Sequence, residues 1–595
     1  MKHLDLTGNF PRDRHPSMKD AQKKAFAIIK DERGSEPKVV ILELPTGSGK
    51  TAIGYTYLKA LKEQGKNSLF YIAPNKVLVE QVKTLHPEVS VAYGRNEHPC
   101  FYYPGQELKA DEIPCSLLTD CPHRVNQETG ETHTAGALPC QYLKQKYEAK
   151  QGGIVVCTTA FYLYTVLFSE EFKPDAVVVD EVHRMAQSIR SVLSTDITDW
   201  KLQRAVDALG AIESGEREHL ALFLFHMKRL VKRNGLGREV LLEEDEIANL
   251  YEALMAVKPD VLEAEARRAL RTGKLNVNED RSVLKQIEDI ARSVRRFKHT
   301  LKYAMSTKGR APLNFVFAFG KEEIGEREKV QFKIVVKDYY VVPLIQKLMP
   351  PDVLAYSATI SDPDVFGFET GIKGAYHSIP SSFPVENARI YMPTDTANLS
   401  VKGRRRQDKT KALRLIAKTA KRFADEGHRS LVIIVSNEER EKFLMLAKEE
   451  GLEAISYGNG HTPRECAKRF REGEGDCLVG TSSNYGEGVD LPKQIAPVIF
   501  CYRPAYPNPE SPETVFEERR FGSRRWSLWN WRVMLDLLQV RGRNIRSETD
   551  LGVTFLISQQ FRRFAYGSLP EWLRPAYRGQ LSFEDCVKDA MELLS

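Results

Sequence analysis

Short runs of β-branched and aliphatic residues alternate along this chain with longer segments whose apolar residues recur every three or four positions. That alternation predicts parallel α/β sheets. In the first part of the chain, strands are expected at Val39–Leu42, Leu69–Ala73, Ile154–Cys157 and Ala176–Val179, and a fifth comes much later, at Val353–Tyr356. A second series lies at Leu431–Val435, Cys477–Val479, Val498–Tyr502 and Val553–Ile557. Each series is enough for one lobe, and at 595 residues the chain is too long for a single domain.

Two segments break this rhythm. From about residue 95 to 150 the chain is rich in Cys, Pro, Gly and His and has no strong period, so something other than an apolar core must fold it. From about 190 to 350 it is charged and mostly helical in pattern, as in Ala264–Leu270. This second segment splits the first strand series.

Composition adds limits. Hydrophobic residues make up 42% and charged residues 28%, with a mean hydropathy of −0.39. No run of about 18 apolar residues exists, so no transmembrane helix and no membrane partner are expected. The polar stretch Met1–Asp20 has no apolar core of a signal peptide, so none is expected, and a cytoplasmic, DNA-associated location is expected if the chain is prokaryotic or viral in origin. The net charge of +7, from 87 basic and 80 acidic residues, is too mild to identify a nucleic-acid partner by itself.

The chemistry begins at Pro45-Thr46-Gly47-Ser48-Gly49-Lys50-Thr51, directly after a strand. This reads as a phosphate loop: backbone N–H groups of Gly47, Ser48 and Gly49 would cradle phosphates at a helix N-terminus. Lys50 would reach the β- and γ-phosphates of ATP, and the Thr51 hydroxyl would bind Mg²⁺. Leu44 stands where the generic pattern has glycine. Downstream, Asp180-Glu181-Val182-His183 follows the apolar run Ala176–Val179. Asp180 would hold Mg²⁺, Glu181 would polarise the attacking water, and His183 would couple the site to the second lobe. Near the C-terminus, Gln539, Arg543 and Arg546 belong to one tract, with the arginines three apart, suited to contact the γ-phosphate from the opposite lobe. Gly488 and Asp490 lie in a glycine-containing loop that would close on ATP. Ser357-Ala358-Thr359 suits a coupling loop.

Between the phosphate loop and Asp180 lie Cys100, Cys115, Cys121 and Cys140, with 14, 5 and 18 residues between successive members. Neither close zinc-ribbon pairs nor a compact ferredoxin run is present. The spacing alone leaves zinc, an iron–sulfur cluster or no metal open. The other five cysteines, Cys157, Cys466, Cys477, Cys501 and Cys586, read as small buried hydrophobes.

Together these pieces resemble the XPD/DinG-type iron–sulfur helicases of superfamily 2. The resemblance is carried by Glu43–Thr51, Asp180–His183, Ser357–Thr359, Ser382–Asn387, Tyr485–Asp490 and Gln539–Arg546, in the right order over nearly the whole chain. It implies an α/β fold of two RecA-like parallel-sheet lobes, the first interrupted by a cysteine-ligated iron–sulfur domain and a mainly helical Arch domain. The first lobe would comprise 1–94 (with the phosphate loop), 151–190 and 346–375. The cluster domain would take 95–150, the Arch-like insertion 191–345, and the second lobe 376–595. The resemblance also selects a 4Fe–4S cluster on the four cysteines and makes Gln22 the adenine-reading glutamine. It implies ATP-dependent, 5′→3′ translocation on single-stranded DNA by a monomeric motor acting on forks or tailed duplexes.

For the nucleic-acid path the residues suggest Lys228, Arg229, Lys232 and Arg233, then Arg292, Arg295, Arg296 and Lys298, as phosphate contacts. Asn75-Lys76 is a further candidate. Tyr102 and Tyr103 would either stack bases or pack around the cysteines, and Trp526, Trp529 and Trp531 would pack the second lobe. The rival readings are a DNA-stimulated translocase that remodels protein–DNA or RNA-containing complexes without processive unwinding, and a non-enzymatic, metal-stabilised nucleic-acid-binding subunit.

Overall fold

Every strand expected from the hydrophobic pattern forms, displaced by no more than two residues at either end. The structure is a computed structural model that describes residues 4–595 apart from 33–37, 307–314, 325–328, 401–405, 459, 486–490, 492–494, 543, 544 and 546. The first sheet has seven strands, in the order Ala375–Ser378, Lys38–Glu43, Asp352–Ser357, Ala176–Asp180, Ser68–Ala73, Gly153–Thr158 and Ser90–Ala92. All its pairings are parallel. The second also has seven, in the order Ala454–Ser456, Cys477–Gly480, Ser430–Ile433, Val498–Cys501, Gly552–Leu556, Ala388–Tyr391 and Tyr577–Arg578, again all parallel. Separate apolar clusters cover the two faces of each sheet, which is why the strands read as continuous apolar runs.

Register positions the site. Glu43 lies opposite Ser357, and Tyr356 opposite Asp180. Three adjacent strands therefore end side by side, and the loops that follow them meet at the carboxyl edge, where open α/β sheets bind ligands. The strand Ala375–Ser378 pairs with Lys38–Glu43, so the first sheet runs past the boundary expected at residue 375.

The region 191–345 departs from a mainly helical insertion. Helices Asp199–Ala211, Glu216–Arg229, Glu244–Ala256, Pro259–Arg271 and Arg281–Ser306 share it with a four-stranded antiparallel sheet ordered Thr195–Thr198, Lys329–Asp338, Phe315–Ile324 and Arg238–Leu241. Phe317 and Phe319, with Ile334 and Val336, face the helical core, while Lys321, Lys333 and Lys337 interrupt the apolar run. A period of two diluted with lysine and glutamate looks like a charged helix when only composition is weighed.

The helix Arg525–Arg541 joins the lobes. Leu528, Trp531 and Leu535 enter the core of the first lobe, whereas Met534, Leu537 and Leu538 enter that of the second. Trp531 Nε1 donates to the carbonyl of Ile360 at 2.8 Å. Trp531 thus packs the first lobe, against the expectation that the tryptophans pack the second. Its three-to-four spacing with Leu528 and Leu535 defines a second apolar face on one helix.

The cysteine module contains a short hairpin, Pro99–Cys100 with Leu108–Lys109, and a small core of Tyr103, Ile113 and Leu118. It docks on the insertion. Tyr103 donates its hydroxyl to the Val277 carbonyl at 3.1 Å, the Ser116 amide donates to Glu288 Oε1 at 2.9 Å, and Arg267 donates to the Ser116 carbonyl at 2.9 Å. Among the described residues, no helix is long and apolar enough to cross a membrane.

Candidate nucleotide site and cysteine module

Gly47 and Gly49 adopt positive φ angles of 84° and 82°, turning the chain sharply from the strand into the helix Lys50–Glu63. Gly49 caps that helix without any side-chain hydrogen bond, so its first amides remain open to an anion. Phe383, from the second lobe, would stand 3.0 Å from a Cβ at position 47, so glycine there also permits the lobes' close approach. The buried Ser48 hydroxyl has no partner. Such an orphan beside open amides fits a phosphate.

Lys50 Nζ meets Glu181 Oε1 at 2.8 Å. Glu181 itself sits at φ 48°, a left-handed conformation held by its surroundings. Burial raises the Asp180 carboxyl, and the adjacent Glu181 charge raises it further. Burial also opposes ionisation of Glu181, but Lys50, His183 and a hydrogen bond from Ser357 outweigh it and hold that carboxyl low. The pair is thus split into a carboxylate ready to accept a proton from water and a neighbour that a divalent cation would stabilise in its charged form.

His183 ties this acid to the second lobe. Its Nε2 lies 2.7 Å from Gln539 Nε2 and its Nδ1 2.6 Å from Ser357 Oγ. Arg184 donates to Gln539 Oε1 at 3.2 Å, which fixes the amide with its NH₂ toward the imidazole. Burial pushes His183 down to about 4, so the ring is neutral at physiological pH. Nε2 must accept, and Nδ1–H must donate to Ser357, whose own hydroxyl donates to Glu181 Oε2 at 2.9 Å. A continuous relay therefore runs Gln539, His183, Ser357, Glu181.

These groups line a cleft of about 770 Å³ between the lobes, with Pro45, Thr46, Gly47, Gly49, Lys50, Thr51, Asp180 and Glu181 on one wall and Phe383, Arg464, Gln539, Arg541 and Gly542 on the other. Its size and mixed lining suit a nucleotide. Gln22 is buried against the phosphate loop, its Nε2 donating to the Gly49 carbonyl at 3.4 Å and its Oε1 accepting the Lys19 amide at 2.9 Å. Gly488, Asp490, Arg543 and Arg546 lie outside the described residues. Arg464 and Arg541 were not anticipated as cleft residues. Burial alone pushes Arg541 down to about 10, which leaves it charged. Its place next to Gly542 in the Gln539 tract was the available signal; Arg464 carried none.

Two domain models match the chain: a type III restriction enzyme res subunit over residues 15–203, and a helicase C-terminal domain over 416–576. No curated protein sequence matches it. Among solved structures, one titled XPD helicase aligns over 95% of this chain and 100% of its own at 16% identity and TM-score 0.60. The structure of Xpd4 from S. tokodaii aligns over 95% and 100% at 13% identity and TM-score 0.56, and an XPD apo structure over 91% and 97% at 14% and 0.54. The chain shares the fold of these XPD helicase structures and carries a matched helicase C-terminal domain. The two matched domains support an ATP-dependent hydrolase of the helicase type.

In the cysteine module, burial and neighbouring thiols act together. Burial raises Cys100, Cys115 and Cys121; Cys121 and Cys140 raise Cys100 further, Cys100 and Cys140 raise Cys115, and Cys140 raises Cys121. Among the described residues, no trio of His, Cys, Asp and Glu is grouped to hold a single metal ion. The remaining five cysteines are buried, as expected.

Several basic residues expected on the nucleic-acid path are engaged within the chain itself. Arg292 pairs with Glu288 at 2.6 Å and Arg295 with Asp260 at 2.8 Å. Lys298 donates to the carbonyls of Met255 and Val257, Arg296 to that of Val192, and Arg233 pairs with Glu246. Asn75 caps the helix Lys76–Leu85, its side chain accepting the Leu78 amide at 3.0 Å, and Lys76 pairs with Glu97. Tyr103 packs rather than presenting its ring to solvent.

Proposed function

We propose that this protein is a DNA helicase that uses ATP and Mg²⁺ to translocate 5′→3′ on single-stranded DNA and splits tailed or forked duplexes against the module at 95–150. The observation that carries the reading is the relay from Gln539 through His183 and Ser357 to Glu181, because it makes the hydrolytic group sense the opposite lobe. Lys50 donates to Glu181 Oε1. An arriving γ-phosphate would draw Lys50 away, freeing Glu181 to orient and deprotonate the attacking water. Thr51 and Asp180 would hold Mg²⁺, which when bound neutralises charge on the phosphates. Arg464 and Arg541 line the cleft from the second lobe and would supply positive charge there, a role that Arg543 and Arg546 would share by their motif. Loss of the γ-phosphate would let the lobes separate, and alternation of the two states would advance the strand.

Cys100, Cys115, Cys121 and Cys140 would hold a 4Fe–4S cluster. Cys140 acts on each of Cys100, Cys115 and Cys121, in a module with a three-residue apolar core, which supports this assignment. When bound, the cluster would supply a rigid cross-link between loops that have little else to fix them.

Strand displacement with anaerobically purified protein tests the reading, using duplexes with a 5′ or a 3′ single-stranded tail. Unwinding of the 5′-tailed duplex that requires ATP and disappears in Lys50→Ala is expected. DNA-stimulated hydrolysis without displacement would favour a translocase, and unwinding from the 3′ tail alone would overturn the polarity.

A further inference from the structure

Beneath the nucleotide cleft lies a chain of buried hydroxyls that belongs to none of the motifs. The strand carrying Asp180 is flanked by Asp352–Ser357 on one side and Ser68–Ala73 on the other. From those neighbours, Tyr356 and Tyr71 point to the same face of the sheet, both essentially inaccessible to solvent. Tyr356 donates its hydroxyl to Tyr71 at 2.7 Å, and Tyr71 donates to Asp180 Oδ2 at 2.9 Å. Each phenol has one proton. A carboxylate can only accept, so Tyr71's proton goes to Asp180, and Tyr71's oxygen is left to accept from Tyr356. The Glu181 amide donates to the other oxygen, Asp180 Oδ1, at 2.9 Å. Asp180 is thereby gripped at both oxygens from below. The Thr51 side chain also interacts with the Tyr71 hydroxyl. One phenol therefore holds Asp180 and lies within electrostatic reach of Thr51.

The helix above has been shaped to admit this chain. A Cβ at Gly54 would lie 2.4 Å from the Tyr356 hydroxyl and 2.9 Å from both the Tyr71 ring and Val178. Glycine at that position lets the helix Lys50–Glu63, and with it Lys50 and Thr51, lie directly on the tyrosine pair.

We propose that Tyr71, backed by Tyr356, is a positioning residue for the nucleotide's Mg²⁺: it fixes the rotation of the Asp180 carboxylate so that its remaining lone pairs face the cleft. This rests on the assignment of Asp180 to Mg²⁺. Tyr71 does not touch substrate. A charge-assisted hydrogen bond of this kind is stronger than a neutral one, and its loss is felt where the carboxylate meets a cation.

The test is binding of a fluorescent ADP analogue titrated with Mg²⁺, run alongside binding in EDTA. In Tyr71→Phe the Mg²⁺ concentration for half-maximal binding should rise about tenfold, with affinity in EDTA unchanged. Tyr356→Phe should shift it the same way by about threefold, because it acts through Tyr71. Asp180→Asn serves as the reference. If Asp180→Asn shifts the Mg²⁺ dependence and neither tyrosine variant does, the inference is overturned and the Asp180 assignment stands. If Asp180→Asn shifts nothing, the assignment itself fails. Should Tyr71→Phe not fold, as judged by circular dichroism, an unshifted Tyr356→Phe is enough to overturn the inference.

Discussion

Glu43 ends the first strand of the sheet with its carboxylate buried and several donors aimed at it. The amides of Ile360 and Ser361 reach Oε1 at 2.8 and 3.0 Å, and the hydroxyls of Tyr376 and Ser378 reach Oε2 at 2.7 and 3.1 Å. One side chain thus binds the strand before the phosphate loop, the loop after Ser357-Ala358-Thr359, and the edge strand Ala375–Ser378. Glu43→Gln keeps the shape but turns an NH₂ toward donors already in place. The variant should lose about 2–3 kcal/mol of stability, measured by urea unfolding, and bind ATP more weakly because the Ser357 loop loosens. Unchanged unfolding midpoint and ATP affinity would mean the donors find other acceptors.

At the scale of elements, the helix Arg525–Arg541 is a rod set into both lobes. Its apolar faces explain why it cannot swing freely, and its polar edge explains how it is locked. Arg532 meets Glu369 at 3.1 Å and Glu517 at 2.7 Å, and Arg190 meets Glu369 at 2.6 Å. Burial alone would raise the Glu369 carboxyl, but Arg190 and Arg532 prevail and hold it at about 2, against an ordinary value of 4.5. A carboxyl depressed in the folded state adds stability that is fully present above 4.5 and fades as pH falls toward 2. Glu369→Gln should therefore cost about 3 kcal/mol at neutral pH, since it strands buried arginines. The gap between wild type and variant in chemical unfolding should be flat from pH 7 to 5 and narrow from pH 4.5 downward; a gap independent of pH would remove the ion pair as its cause. The sequence disclosed the strands on either side of this lock because buried parallel strands write unbroken apolar runs. It did not disclose the lock. Trp531 looks like any core tryptophan, and only the register of Leu528 and Leu535 against the opposite lobe separates it from Trp529. The site divides in the same way. Lys50, Asp180 and His183 sit in local motifs that spacing reveals, whereas Arg464 lines the cleft through lobe packing and Tyr71 reaches Asp180 from the neighbouring strand. Tyr71 and Asp180 are 109 residues apart in sequence, a contact that no local pattern records.

Taken as a whole molecule, the chain has two mechanical parts of unequal security. The lobes own four large apolar clusters and share a helix, so the ATP cleft stands on its own core. The cysteine module has a core of three buried residues and leans on the insertion through Tyr103, Ser116 and Glu288, the last buried and paired with Arg292 and Lys285. A module this small needs a further restraint, and the four thiols are where a metal group would provide it. Removing that group should release the module and its docking contacts while sparing the nucleotide site. Two preparations test this: protein treated with an oxidant and chelator, and Cys115→Ser. Both should show about wild-type basal ATP hydrolysis, new protease cleavage confined to residues 95–150, and loss of strand displacement. Global unfolding in either would contradict the independence of the lobes. Retained displacement with a cleaved module would mean that duplex separation does not use this part of the molecule.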